Sequence, residues 1–512
     1  MESTRSIWRA EALPSAKGPL DADTRADVCV IGGGITGLSV AYQLAKNQRS
    51  VVVLEMGLLG EGQTQYTTAQ LSSSIDCRYF QLEQWHGETG SHLAAESHTA
   101  AIDATEAIIR DEGIDCDFER LDGYLFLGPD DSAETLTEEL TAARRAGLDV
   151  THTSLSWTPG SVPALRFPKQ AQFHPLKYLT GLYRATEARG GRVYTMTRAQ
   201  GIVTGKHPIV TTQSGLKIHC EAVVVATKSP MNDRFAIHTK QAPYTTYVVG
   251  LRATRPIARH LYWDTGSAHR SHPRPYHYVR LAKDPNGVDF LLVGGEDHKT
   301  GQANDGAERF YHLERWGRDL FPGLEETAYQ WSGEIHEPVD GLGFIGPNPA
   351  EGEKNIFLVT GDAGMGMTYA GIAGFILRDL IERRPNPWAH LYDPARKTLR
   401  AVGTFTRENL NVASQYATWV TPGELHSTDS IAPGEGAVIR QGLHKIAAYR
   451  DPTGHVHEFS AVCPHLGCLV AWNSTEKTWD CPCHGSRFNA RGAVVLGPAT
   501  QNLAPIPQKK TA

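Results

Sequence analysis

The chain has 512 residues, enough for about two to four domains and a sizeable core. A hydrophobic share of 40%, a charged share of 21% and a net charge of −6 describe an ordinary globular protein and argue against nucleic acid as the main partner. No apolar run approaches the roughly 18 residues a membrane span needs, and residues 1–25 lack a signal-peptide core, so the expected location is cytoplasmic. Of the 8 cysteines, Cys29, Cys77, Cys116 and Cys220 are scattered singly and read as core or free thiols, while the others gather near the C-terminus.

The first predicted elements are a short buried strand, Asp27-Val28-Cys29-Val30-Ile31, running straight into Gly32-Gly33-Gly34-Ile35-Thr36-Gly37. Leu38, Ala41, Leu44 and Ala45 then recur at helical spacing, and a second strand, Ser50-Val51-Val52-Val53-Leu54, is closed by Glu55. In that context the glycines form a dinucleotide fingerprint. Gly32 turns the chain, Gly34 lets the backbone approach a pyrophosphate, and Gly37 packs helix on strand. Helix N-terminal amides hold the phosphates, and Glu55, about 20 residues on, accepts the adenosine ribose hydroxyls.

Further along, residues 96–111 read as an amphipathic helix, and Gly123-Tyr124-Leu125-Phe126-Leu127, Thr245-Thr246-Tyr247-Val248-Val249 and Phe290-Leu291-Leu292-Val293 as strands. Glu83, His86 and His92 imitate a two-His-one-carboxylate iron site, but their place just after the first strands suits a solvated helix better. Two polar clusters are candidates for chemistry. Tyr276-His277-Tyr278-Val279-Arg280 alternates, which on a strand puts His277 and Val279 on one face and Tyr276, Tyr278 and Arg280 on the other. Gly294-Gly295-Glu296-Asp297-His298-Lys299-Thr300-Gly301 follows an apolar strand and is dense in ionisable groups. Next, Trp331-Ser332-Gly333 leads through Glu334-Ile335-His336-Glu337-Pro338 to Asp340-Gly341.

Asn355-Ile356-Phe357-Leu358-Val359 is a strand followed by Thr360-Gly361-Asp362-Ala363-Gly364-Met365-Gly366-Met367-Thr368 and a largely apolar helix. Together with the N-terminal fingerprint, this segment resembles the D-amino-acid-oxidase (DAO) superfamily of flavoproteins over roughly residues 26–385. The resemblance implies an α/β FAD-binding Rossmann-like domain with an interleaved α+β substrate domain, the latter at about 80–170 and 236–335. Gly361 and Asp362 are then expected near the ribityl or phosphate region. The amides of Met365, Gly366, Met367 and Thr368 would face the flavin pyrimidine, where they stabilise negative charge. Ala222-Val223-Val224-Val225-Ala226-Thr227 resembles the family's intermediate strand, with Lys228 in place of its final glycine. The loop 62–74, with Thr67 and Thr68, would pass the pyrophosphate and the ring. Tyr66 stands about where some relatives attach FAD through a histidine, so FAD is expected to be non-covalent. Arg280 would bind a substrate carboxylate, and His298, Lys299 or His277 would act near the flavin. Many oxidases carry an arginine between Trp331 and Asp340; here two acids and a histidine stand ready for a cationic group. No second fingerprint on a separate Rossmann unit is evident, which argues that electrons come from a substrate bound at the flavin itself.

Pro385, Pro387 and Pro394 close the preceding helix, helical periodicity runs over about 395–415, and Thr421-Pro422-Gly423 breaks it. Then come Cys463-Pro464-His465-Leu466-Gly467-Cys468 and Cys481-Pro482-Cys483-His484-Gly485-Ser486. Two thiolates and two imidazoles can serve a tetrahedral zinc or a two-iron, two-sulfide cluster. A zinc ribbon has no use for the extra cysteine in each loop. The segment resembles a Rieske [2Fe–2S] domain of the cytochrome bc-type class, a small all-β unit. By that resemblance Cys463 and Cys481 bind the inner iron, His465 and His484 the outer one, and Cys468 pairs with Cys483. Ser486 matches a hydroxyl that donates to a bridging sulfide, and Phe488 replaces a usual tyrosine. The potential is therefore expected below the top of a range of roughly −150 to +300 mV. Gly497-Pro498-Ala499 resembles the proline loop over the cluster, and the two halves together resemble bacterial FAD proteins fused to a Rieske domain.

The expected organisation is an N-terminal extension (1–25), a DAO-type FAD and substrate domain (26–384), a helical linker (385–425) and a Rieske domain (426–512). The expected function is an FAD-dependent dehydrogenase of a small amine or amino-acid derivative. It would pass electrons singly from flavin to the cluster and on to a one-electron carrier protein, a ferredoxin or cytochrome. Flow in the reverse direction, and a non-catalytic redox module, are the alternatives.

Overall fold

The computed structural model describes residues 4–10, 16–129, 131–158, 160–231, 237–266, 276–349 and 355–506, so the expected N-terminal extension is described only in part. Its described piece is no loose tail. Trp8 is buried, its indole Nε1 donates to the Thr67 carbonyl at 2.7 Å, and Arg5 bridges to Gln330.

Strands Val28–Ile31, Val51–Leu54, Ala222–Val225 and Ile356–Thr360 are buried along their whole length, the pattern of a parallel sheet covered on both faces. With Arg192–Tyr194 and Phe344–Pro347 they make a six-stranded sheet, parallel except at Phe344–Pro347. Helix Ile35–Lys46 follows the glycine turn, and helix Gly366–Ile381 packs beside it. A nine-stranded sheet forms the second layer, interleaved in sequence with the first as expected. Its long strands Gln241–Ala253, Asp289–Lys299 and Leu324–Pro338 are antiparallel neighbours.

The helix expected over 96–111 is the second part of a longer one, Tyr79–Asp111, interrupted at Gly87 where φ is 73°. Its start is capped from afar, because the Tyr79 amide donates to the Glu139 carboxylate at 2.7 Å. The iron-site imitation dissolves on this helix. Glu83 pairs with Arg145, while His86 and His92 hydrogen-bond the carbonyls of Asp340 and Ala146.

Helix Val402–Gln415 leads to two small antiparallel sheets, one of three strands within 435–460 and one of four within 471–496. These carry their own core around Trp472, Trp479 and Phe488. The C-terminal unit is seated on the rest of the chain. Ser332 Oγ donates to Glu476 at 2.7 Å, and the Ser474 amide donates to Asn304 at 2.9 Å. At Gly301, where φ is +71°, a Cβ would come within 2.9 Å of the Asp480 carbonyl oxygen and 3.0 Å of Pro482 N.

Candidate active site and cluster centre

A cavity of about 960 Å³ opens at the C-terminal ends of the parallel strands, where open α/β sheets bind ligands. Gly32, Gly34 and Glu55 line one end, and Asp362, Met365, Gly366 and Met367 line it further on. The turn fits a dinucleotide because side chains are barred from it. A Cβ at Gly32 would sit 2.4 Å from the Ala226 carbonyl oxygen, and one at Gly37 only 1.8 Å from that of Gly32. Glu55 accepts from the amides of Gly33 at 2.8 Å and Gly57 at 3.1 Å, and burial raises its carboxyl above the usual range. Thr67 and Thr68 also line the cavity. Gly361 and Thr368 do not. Gly361 makes the turn, with φ +71°, and the Thr368 hydroxyl takes the Ser72 amide at 3.1 Å, fixing the loop opposite. Lys228, in the place of a glycine, bonds both oxygens of Asp362 at 2.6 and 2.7 Å.

Of the four side chains expected to do chemistry, Arg280, His277 and His298 lie outside the cavity lining and Lys299 lies in it. Arg280 is buried outside the cavity lining, where its Nη1 donates to the carbonyls of Thr68, Ala69 and Phe173 at 2.8, 2.8 and 3.1 Å. It braces the 67–69 loop from behind, and burial pushes its guanidinium down to about 9. His277 faces away, its Nδ1 2.7 Å from Asp264 and its ring stacked on Trp316 at 4.1 Å. His298 also faces away, against Tyr247, and burial lowers it to about 4. Lys299 does reach the cavity, but its ammonium lies 2.5 Å from Glu408 of the linker helix.

The groups that do converge are acids and aromatic rings. Asp76, Asp297 and Glu337 all line the cavity, with Tyr244, Tyr276 and Tyr278 around them. Burial raises all three carboxyls, Asp297 to about 7 and Glu337 to about 8, and each of those two is pushed further by Asp76. The Tyr276 hydroxyl donates to Asp76 at 3.0 Å, while one oxygen of Asp297 is buried without a hydrogen bond. Among the described residues, the cations lining this cavity already have partners. Lys228 holds Asp362, Lys299 and Arg407 approach Glu408, Arg309 holds Asp305, and Arg198 donates to the Thr500 carbonyl. Glu337 was read in sequence as one of two acids expected to meet a cationic group, Asp297 was visible only as a member of a polar run, and Asp76 carried no signal at all.

At the other centre, Cys463 and Cys481 are buried thiols outside any disulfide, and a disulfide joins Cys468 to Cys483. The sulfur of Cys481 lies within 4.8 Å of that disulfide. The rings of His465 and His484 stand 5.0 Å apart, and Nδ1 of His484 is buried with no hydrogen-bond partner. Two soft thiols, two close imidazoles and an orphaned ring nitrogen fit a cluster with Cys on one iron and His on the other. Ser486 is fully buried, and its hydroxyl accepts from the Ala499 amide at 3.0 Å. The imidazole edge faces the flavin-side domain. His238 sits 4.9 Å from the His465 ring and 5.6 Å from the His484 ring. Behind it lies His336, 3.9 Å from Glu334, which itself reaches the cavity.

Comparisons with known proteins agree with this geometry. The FAD dependent oxidoreductase (DAO) family matches residues 27–380, and the Rieske [2Fe-2S] domain matches residues 422–507. The Rieske 2Fe-2S iron-sulfur protein YhfW of Bacillus subtilis (strain 168) is 33% identical over 513 residues, covering 99% of this chain and 98% of that protein. Gamma-glutamylputrescine oxidoreductase of Escherichia coli (strain K12) is 26% identical over 403 residues, 74% of this chain and 89% of that protein. Among solved structures, glycine oxidase from Geobacillus kaustophilus shares the fold with a TM-score of 0.59 at 20% identity, over 73% of this chain and 99% of that one. The chain therefore belongs to the FAD dependent oxidoreductase (DAO) family, with a Rieske domain at its C-terminal end and FAD and a [2Fe–2S] cluster as its cofactors.

Proposed function

We propose that this protein is a dehydrogenase of small cationic amines that delivers the electrons, one at a time, to its own Rieske cluster and then to a carrier protein. The observation that supports this most is the acid-lined, aromatic end of the cavity, in which the neighbouring cations are already neutralised. An ammonium group is attracted to such a site by both carboxylates and ring faces, whereas a substrate carboxylate meets repulsion there and no clamp. That reading replaces the amino-acid carboxylate expected at Arg280.

In this assignment Gly32, Gly34, Glu55, Thr67 and Thr68 hold the adenosine and pyrophosphate side of FAD, and Gly37 packs the helix behind the turn. Asp362, Met365, Gly366 and Met367 hold the flavin side, with Gly361 making the turn and Thr368 fixing the loop behind them. Cys463, Cys481, His465 and His484 hold the cluster. When bound, FAD supplies a two-electron acceptor and the cluster a one-electron acceptor. The protein's own contribution is to bind, orient and deprotonate. A carboxyl poised at about 7 is partly ionised at neutral pH, and one poised at about 8 becomes ionised as the pH rises past it. The ionised form takes the proton of an ammonium and leaves the amine lone pair free. Asp297 has that role at neutral pH and Glu337 at higher pH, beside Asp76, whose carboxyl accepts from the Tyr276 hydroxyl. Loss of one C–H hydride and one N–H proton turns the amine into an imine, which water hydrolyses.

Anaerobic mixing of the FAD-loaded protein with a panel of mono- and diamines, amino acids and 2-hydroxy acids tests this directly. Amines are expected to bleach the flavin band. Bleaching by the hydroxy acids or amino acids but by no amine contradicts the proposal.

A further inference from the structure

The segment 494–500 of the Rieske domain lies at both cofactor sites. Toward the cluster, its Ala499 amide donates to the buried Ser486 hydroxyl at 3.0 Å. Toward the flavin-side domain, Val494, Val495, Leu496, Gly497 and Thr500 form part of the wall of the same cavity that Glu55 lines. The join is polar as well as apolar. Arg198 Nη2 donates to the Thr500 carbonyl at 3.0 Å, and a Cβ on Gly497 would stand 3.5 Å from the Ser229 carbonyl oxygen, in ordinary van der Waals contact. Two apolar side chains at this end lack protein cover: Met56, beside Glu55, is 42% exposed and Val495 is 41% exposed, and both line the cavity. Uncovered apolar surface facing a cavity beside a ribose-binding carboxylate is what a purine ring would cover.

We infer that the Rieske domain supplies one wall of the adenosine end of the dinucleotide site, with Val495 against the adenine and Arg198 fixing the segment. FAD occupancy and the seating of the 494–500 segment over the cluster therefore stabilise each other. The coupling is reciprocal by thermodynamic necessity: whatever seats the segment tightens FAD, and FAD seats the segment. A cofactor lost from one centre would loosen the other, so the chain is fully built only when both are loaded. The adenosine assignment rests on Glu55 and the glycine turn, and no part of it depends on which substrate is oxidised.

The test uses the full-length protein with its cluster intact, stripped of flavin and then titrated with FAD or with FMN, which lacks the adenosine. Limited proteolysis within 494–500, read by mass spectrometry, and the visible circular dichroism of the cluster report on the segment. FAD is expected to slow cleavage there and shift the dichroism, and FMN to do neither. Arg198→Ala and Val495→Asp are expected to release FAD roughly tenfold faster, the loss of one charged hydrogen bond or apolar contact, while Arg198→Lys and Val495→Ile retain it. Cluster content, measured by EPR spin quantitation, checks that each variant is folded. Cleavage and dichroism indifferent to FAD, or FAD release at the native rate from both disruptive variants, overturns the inference. Neither readout involves turnover, so failure here leaves the amine proposal standing, and the reverse holds too.

Discussion

Asp297 and Glu337 illustrate how burial turns a common side chain into a specific one. In water both are ionised near pH 4, but in the cavity their own desolvation, helped by Asp76, holds them protonated up to about 7 and about 8. The sign of the resulting pH dependence follows. A permanently charged quaternary ammonium probe, which has no proton of its own to lose, is expected to bind more tightly as pH rises through 7 and 8. Asp297→Asn and Glu337→Gln are expected to weaken that binding and to flatten its pH profile, as read by flavin difference spectra. Arg280 makes the opposite point. Because its guanidinium satisfies backbone carbonyls and no acid, Arg280→Met should cost roughly 3 kcal/mol in denaturant unfolding through carbonyls left bare. Quaternary ammonium affinity of the FAD-loaded variant should stay close to native. Alternation along 276–280 correctly separates His277 from Tyr276 and Tyr278, both of which line the cavity. It cannot show that Arg280, two residues further, runs beneath a loop more than 200 residues away in sequence.

At the scale of elements, the glycine turn, the parallel strands and the two Cys/His loops were legible because each needs only neighbouring residues to declare itself. Of the acid site, only the stretch 334–337 was legible. Asp76 comes from a loop and Asp297 and Glu337 from two different long strands, so nothing local ties them together. The start of the Tyr79–Asp111 helix was hidden for the same reason, since its cap is the carboxylate of Glu139. The seat between domains likewise depends on close backbone approach. Gly301 lies against Asp480 and Pro482, immediately before and after Cys481. Gly301→Ala adds a methyl group where only hydrogen fits and where φ is positive. It is expected to slow cluster reduction while leaving the rate of flavin bleaching by amine unchanged, as read by stopped-flow absorbance at two wavelengths. Equal rates for both steps in variant and native protein would show that the seat is irrelevant to transfer.

For the molecule as a whole, the notable feature is that the imidazole edge of the cluster turns inward. His238 covers the rings of His465 and His484, and His336 and Glu334 continue toward the cavity. The linker helix joins both sides. Its Glu408 holds Lys299, and beyond its end Tyr416 and Trp419 donate to the carbonyls of Leu466 and Gly467 beside the cluster ligands. Such an arrangement suits transfer within one polypeptide, and it gives a chemical reason for fusing a two-electron centre to a one-electron one. The measurement that tests this most directly is rapid-freeze EPR after anaerobic mixing of the loaded protein with a substrate amine. The account predicts that flavin bleaching comes first and that the signal of the reduced cluster then grows at a rate independent of protein concentration. A cluster that stays oxidised while the flavin is fully reduced, or is reduced at a rate proportional to protein concentration, would contradict it.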